Sequence, residues 1–260
     1  MTFRAIRILR EVDIIAAEDT RHTRKLLTHF DIHTPLIRFD ENCKTEVGEK
    51  ILTRLQNGES VAVVSDAGLP AISDPGADLV RLAADAGITV CPIPGANAAL
   101  SALICSGLDT TKFTFVGFPP KTKKNRREFL EKLSAIDNTL IFYEAPHHLI
   151  NFLDELTEIF GDRRAVLARE LTKVHEEFIR DNLRSLTEKI SEPLGEFVIV
   201  VEGNKTSCLI EKPAATIPEV MEKFLAEGLD KKSAMRETAK LFNVSRRDIY
   251  NSLLKDSEEV

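Results

Sequence analysis

The chain has 260 residues, 43% of them hydrophobic and 29% charged, which is enough for one large domain or two medium ones with true cores. A formal net charge of −6 excludes an overall basic field of the kind that binds nucleic acid indiscriminately. Nothing reads as a secretory leader or a spanning helix, so a cytoplasmic protein without membrane contact is expected.

In chain order, residues 13–17 (Asp-Ile-Ile-Ala-Ala) predict a strand that ends in Glu18-Asp19-Thr20-Arg21, and a helical pattern follows to Phe30. A helix over 45–56 precedes the short apolar run 61–64, which predicts a strand buried on both faces. That run leads into the loop Ser65-Asp66-Ala67-Gly68-Leu69-Pro70 and on to Asp74-Pro75-Gly76, then into a helix with Leu79, Val80, Leu82 and Ala83 on its apolar face. Residues 88–93 predict a third strand, ending in Pro94-Gly95-Ala96-Asn97 before the helical segment 98–106. Gly, Pro, Asn and Asp also serve ordinary turns. Three such loops on one rim nevertheless predict a ligand crevice at the carboxyl ends of a parallel sheet.

Residues 106–110 read as a hinge. Beyond it, strands are expected over 113–118, 139–144, 164–170, 177–181 and 196–201, with helices over 125–136, 146–160 and 183–190. The expected architecture is α/β: a parallel-sheet domain over 1–110, a mixed-sheet domain over 111–204, and a helical extension over 217–257. Residues 203–216 read as a linker. In the extension, Asp230 is expected to cap a helix running to Phe242 and Ser245 one running to Leu254, in helix-turn-helix proportions. Lys231, Lys232, Arg236, Lys240, Arg246 and Arg247 make this tail locally basic; a solvated helical bundle and a nucleic-acid contact both fit it.

The run 121–127 carries five cations, Lys121, Lys123, Lys124, Arg126 and Arg127, directly after Phe118-Pro119-Pro120. Screening limits a surface field to about 8–10 Å, so such a cluster can attract phosphate despite the net negative charge. Cys43, Cys91, Cys105 and Cys208 form no C-x-x-C pair and read as reduced thiols, with Cys91 and Cys105 expected in the core. The histidines show no metal spacing, since the adjacent His147 and His148 would point apart on a helix; no metal is expected.

Taken together, the ordered segments resemble the tetrapyrrole methylase superfamily, and within it the group that methylates a cytidine ribose 2′-oxygen in 16S ribosomal RNA. The motifs are residues 17–21 (Ala-Glu-Asp-Thr-Arg), 65–70, 73–76 (Ser-Asp-Pro-Gly), Pro94-Gly95, Gly117-Phe118-Pro119, 140–147, 168–173 and 195–203, and they cover nearly the whole chain. The resemblance implies two α/β domains with S-adenosylmethionine in the cleft between them, rRNA of the small ribosomal subunit as partner, and a homodimer. Carried over residue by residue, it implies cofactor contacts from Ser65, Asp66, Ala67, Gly68, Pro70, Asp74, Pro75, Gly76, Pro94, Gly95, Asn97, Ala98, Phe142, Tyr143 and Glu144.

Methyl transfer to a ribose hydroxyl needs a proton acceptor in line with the donor. Glu18, Asp19, Asp66, Glu144 and Glu170 are candidates on the rim; Asp19 and Glu18, at a strand end beside the opening loop, are weighed first, although either could instead pair with Arg21 or cap the following helix. Arg21, Arg24, Lys25, Arg169 and Lys173 join the 121–127 cations as expected RNA contacts. A small tetrapyrrole precursor as substrate, or an RNA-binding remnant without cofactor, are the competing readings. Two departures stand out. His148 replaces the family's usual Arg. The family also opens with a strand and a loop of the type Thr-Pro-Ile-Gly-Asn, whereas residues 2–6 here match the helix after that loop, so Met1 is expected to be an internal methionine of a longer natural protein.

Overall fold

A computed structural model describes residues 1–190, 193–205, 216–242 and 249. The first sheet has three parallel strands in the order β2-β1-β3, formed by β1 (Ile14–Ala17), β2 (Leu36–Arg38) and β3 (Val61–Val64). β1 is central and wholly buried, as a continuous apolar run requires. Its side chains alternate between two cores. Ile15 packs with Leu9 of α1 (Phe3–Glu11) and Leu27 of α2 (Thr20–His29). Ala16 packs with Ile51 of α3 (Lys44–Gln56) and Leu79 of α4 (Ala77–Asp85).

The expected strand over 88–93 does not form: those residues make no ladder, and Val90 and Cys91 are exposed. β3 pairs only with β1, and the 88–93 segment does not take up its other edge. An apolar, β-branched run becomes a strand only where another edge offers it hydrogen bonds. Backbone amides of 88–93 that have no ladder partner are therefore expected to exchange with deuterium orders of magnitude faster than Ile15; protection equal to that of β1 would contradict this placement.

The second sheet is mixed, in the order β4-β5-β8-β6-β7, from β4 (Phe113–Gly117), β5 (Thr139–Glu144), β6 (Arg164–Arg169), β7 (Glu177–Asn182) and β8 (Phe197–Val201). Only β4 and β5 are parallel; β8 runs antiparallel to both β5 and β6. One face is covered by α6 (Lys123–Leu133), α7 (Leu149–Phe160) and α8 (Leu183–Lys189), which enclose Phe142, Phe152, Leu156, Leu167 and Ile199. A 3₁₀ turn at Pro146–His148 leads into α7.

The other face is covered by α5 (Ala98–Ser106), whose Ala99, Ala102 and Leu103 pack on Ile141, Val166, Val198 and Val200. α5 thus belongs by its packing to the second sheet, although the sequence assigns it to the unit before the hinge. The reason is its small-residue face, Ala99 and Ala102, which seats closely on a flat row of valines. Cys105 lies on the outer side of α5 and is exposed; neither it nor Cys91 is in the core. Cys208 lies outside the described residues.

The extension contains α9 (Ile217–Ala226), opened by a Thr216/Glu219 capping box, and α10 (Lys231–Leu241), where the Asp230 carboxylate accepts the Lys232 N–H at 3.2 Å. Met221, Ala234, Ala239 and Ile249 close its small core. The expected helix start at Ser245, with Arg246 and Arg247, lies outside the described residues. No helix among the described residues is long and apolar enough to cross a membrane.

Candidate functional site

The rim at the carboxyl end of the first sheet gathers three carboxylates. Glu18 follows β1, and Asp66 and Asp74 lie in the loop after β3. Burial raises the Glu18 pKa, and the Asp74 and Asp66 charges push it further, against a favourable contact from the Asp66 backbone N–H. Burial likewise raises Asp74, which Ser65 hydrogen-bonds and Asp66 repels. Among the described residues no group of His, Cys, Asp or Glu has the arrangement of a metal site. Glu18, Asp66 and Asp74 lie in one another's field, a patch of negative charge suited to a cationic ligand.

The loop that carries it is held in strained backbone: Ala71 (φ +68°) and Ser73 (φ +63°) are left-handed without being glycine. Sequence reasoning gave no sign of this. The loop touches the other rim elements. A Cβ on Gly95 would lie 3.7 Å from Leu69 Cδ2, and one on Gly117 would lie 3.1 Å from Ser73 Oγ. Gly117 adopts φ +71° and ends β4, so its missing side chain permits both the turn and this contact between the two α/β units. Tyr143, near the end of β5, completes the closure: its hydroxyl meets the Ala99 backbone, and the Asp74 charge adds to burial in raising its pKa. Asn97 caps α5 by accepting the Leu100 N–H at 2.9 Å. The loops at Glu18, Asp66–Gly76 and Gly95 thus converge on one cleft, facing Tyr143 of the second unit.

Strand alternation sorts the expected β5 contacts. Tyr143 shares a face with Ile141, toward α5 and the cleft. Phe142 is fully buried on the opposite face beneath α7, and its side chain does not reach the cleft. Glu144, 9% exposed, is on the Phe142 side; its carboxylate accepts the Ala145 N–H at 2.8 Å and lies near Arg126. Successive strand residues cannot share a face, so Tyr143 alone of the three presents its side chain.

Asp19 is the N-cap of α2. Its Oδ1 accepts the Arg21 backbone N–H at 2.8 Å, and the Arg21 guanidinium binds the same carboxylate at 2.9 Å, holding it well below the usual carboxylate range. Of the two acids weighed first as proton acceptor, Asp19 is committed to the helix and Glu18 faces the cleft cluster.

The expected RNA cations divide in the same way. Arg126 forms a bidentate pair with Glu155, at 2.6 and 2.7 Å, with both side chains largely buried. Arg127 is shared by Glu131 and Glu158. Lys173 bridges Glu170 and Glu196, at 3.0 and 3.1 Å, and Arg169 donates to the Leu194 carbonyl at 2.8 Å. Arg24, Lys25, Lys121, Lys123 and Lys124 are exposed with no ion pair. Arg126→Ala is expected to cost about 2–3 kcal/mol in urea unfolding, because it strands Glu155, whereas Lys124→Ala stays within about 0.5 kcal/mol. Equal effects would mean that the Arg126 pair is solvated.

Residues missed from the sequence as cleft contributors are Leu69, Ser73, Phe115 and Phe118. Phe115 and Phe118 meet the Tyr143 ring edge-on, with centroids 5.2 and 5.5 Å away.

A family model described as Tetrapyrrole (Corrin/Porphyrin) Methylases matches residues 1–187. The chain belongs to the tetrapyrrole methylase family. Within it, the chain is 47% identical over 256 residues to ribosomal RNA small subunit methyltransferase I of Halalkalibacterium halodurans, covering 96% of this chain and 89% of that protein. It is 45% identical to the protein of the same name from Bacillus subtilis, covering 97% of this chain and 88% of that one. The fold matches the solved structure of the methyltransferase CobJ, with a TM-score of 0.58 at 20% identity over 78% of this chain and 88% of that one. It also matches diphthine synthase, with a TM-score of 0.58 at 17% identity over 78% of this chain and 84% of that one.

Proposed function

We propose that this protein transfers a methyl group from S-adenosylmethionine to a cytidine ribose 2′-oxygen in 16S rRNA of the small ribosomal subunit, as a cytoplasmic homodimer. The observation that carries the reading is the cleft itself: three carboxylates, two of them raised by burial and mutual repulsion, face Tyr143 across the seam between two α/β units. The relatives named above act on ribosomal RNA by name, and their likeness runs over nearly the full chain.

The residues fit the donor. A sulfonium and an ammonium group are both cations, and either would relieve the repulsion among Glu18, Asp66 and Asp74. Gly95 and the 66–76 loop offer backbone at close range, and Tyr143 borders the cleft from the second unit. When bound, S-adenosylmethionine supplies a methyl group on a good leaving group.

The chain's own task is to place the ribose hydroxyl in line and accept its proton. Glu18 is the group for that transfer, because a carboxylate whose pKa is raised is a better base than a free one. Asp66 and Asp74 hold positive charge beside it. Asp19 stabilises α2 and so fixes the direction in which β1 delivers Glu18.

The test is incubation of the purified chain with labelled S-adenosylmethionine and small subunits lacking the modification, followed by nucleoside mass analysis. A 2′-O-methylcytidine product is expected. Methyl transfer to a tetrapyrrole precursor but not to the subunit would overturn the reading, and so would calorimetry showing no S-adenosylmethionine binding.

A further inference from the structure

We propose that Phe118 is the stacking platform for an unstacked RNA base, with Lys121, Lys123 and Lys124 holding the adjoining phosphates. This names the form of the substrate, a single-stranded nucleotide splayed out of its helix, and it rests on the function proposed above.

Phe118 is 60% exposed although its neighbours in the same aromatic group, Phe115 and Tyr143, are largely covered. Its exposure alone carries no meaning, since Phe3 is more open still; what sets Phe118 apart is its place beside Tyr143 and the acid-bearing loop. Its position is also fixed. Gly117 turns the chain at the end of β4, Pro119 is buried, and a residue before proline is confined to extended backbone. The ring meets the Tyr143 ring at an interplanar angle of 61° and still leaves most of its surface open. A ring fixed in this way loses little freedom when a base stacks on it.

The location ties the ring to the chemistry. Tyr143 faces the cleft beside Asp74, and Gly117 sits against Ser73 of the acid-bearing loop. A base on Phe118 therefore brings its own ribose toward the carboxylates. A-form RNA displays its 2′-hydroxyls but keeps both faces of each base stacked, so a base can lie on Phe118 only when its nucleotide has left the helix.

Phosphate contacts follow directly along the chain. Lys121 is three residues from Phe118, so their Cα atoms lie within about 11 Å. Among the described residues, Lys121, Lys123 and Lys124 are exposed and make no direct ion pair, although Lys123 lies in the field of Glu155, whereas Arg126 and Arg127 beside them are each bound by carboxylates. An aromatic face followed by unpaired cations is how proteins bind single-stranded nucleic acid. Two of the five cations serve α6; three serve the surface.

The experiment measures steady-state methyl transfer to small subunits for the wild-type chain and for Phe118→Ala, Phe118→Leu and Phe118→Tyr, with calorimetric S-adenosylmethionine binding alongside. Phe118→Ala is expected to raise the subunit KM by about tenfold or more, in the range of one lost stack. Cofactor Kd should stay within about twofold, since stacking acts on the RNA alone. Phe118→Tyr should restore KM and Phe118→Leu should not, because stacking needs a flat ring rather than bulk. An unchanged KM in Phe118→Ala, full rescue by Phe118→Leu, or a loss confined to cofactor binding would overturn the inference while leaving the methyltransferase reading intact. A wild-type chain that methylates no subunit RNA would overturn both.

Discussion

Glu18→Gln is expected to make the free protein slightly more heat-stable and the enzyme nearly inactive. Both effects come from the same charge. In the fold, burial and the Asp74 and Asp66 charges raise the Glu18 pKa above its ordinary value of 4.5. A raised carboxyl pKa stabilises the fold fully only below the unfolded value, and that contribution is lost as pH rises through the folded value. At neutral pH the wild type therefore carries the whole repulsion, and the neutral amide removes it. The gain is discounted by solvent at this partly exposed position to about 0.5 kcal/mol, or about 1–2 °C in Tm. It should vanish at a pH below the ordinary glutamate value, where both proteins are uncharged there.

Bound S-adenosylmethionine adds the opposite sign. Its positive charge relieves the wild-type repulsion, so the cofactor-induced rise in Tm should be larger for wild type than for Glu18→Gln. Loss of the proton acceptor should lower kcat by about 10²–10⁴-fold and remove the acid limb of the pH–rate profile. Asp19→Ala is the matched control: it loses the α2 cap and the Arg21 pair, lowers Tm, and keeps the acid limb. If Glu18→Gln retains both its rate and that limb, the proton leaves by another route.

Much of this arrangement is legible in the sequence, and the failures have physical causes. Residues 13–17 read as a strand and form the central, buried β1, and the acid-rich turns after β1 and β3 do share a rim. The run 61–64 reads as a strand buried on both faces but is the half-buried edge strand β3, because it pairs with β1 alone. Residues 88–93 carry an equally good strand pattern, yet a strand is a relation between two edges, and the pattern does not reveal whether the two come within hydrogen-bonding reach. α5 precedes the expected hinge yet packs on the second sheet, because Ser106-Gly107 is a helix terminus, with Gly107 left-handed.

Residues 142–144 read as one set of cofactor contacts, yet period-two alternation turns the Tyr143 side chain to the face opposite Phe142 and Glu144. The basic run 121–127 looked uniform; only folding shows that α7 supplies Glu155 and Glu158 to Arg126 and Arg127. The motif Gly117-Phe118-Pro119 does not reveal that Phe118 is exposed, because exposure is not written in a residue type.

The largest loss of stability is expected from Gly203→Ala, at a place remote from the chemistry. Gly203 follows β8, and a Cβ there would overlap the Asp137 carbonyl group and crowd the Asn138 carbonyl. Both obstacles are backbone, in the turn that launches β5, and neither can rotate aside. That turn is also pinned: the Asn204 N–H donates to the Ile136 carbonyl at 2.7 Å, and Arg163 Nη2 donates to the Ser134 carbonyl at 2.6 Å.

The substitution must therefore either break these bonds or shift β8 against β5. Overpacking against a fixed backbone costs about 3 kcal/mol or more, which corresponds to about 6–12 °C in Tm for a chain of this size. β8 pairs Phe197 with Glu144 at its other end, so a displaced β8 also disturbs Tyr143 and the aromatic wall of the cleft. Thermal unfolding and urea midpoints of Gly203→Ala should show the loss, together with a weaker S-adenosylmethionine affinity measured well below the new Tm. A variant as stable as wild type would mean that the turn at Asp137 yields, and that β8 is anchored by its ladder alone.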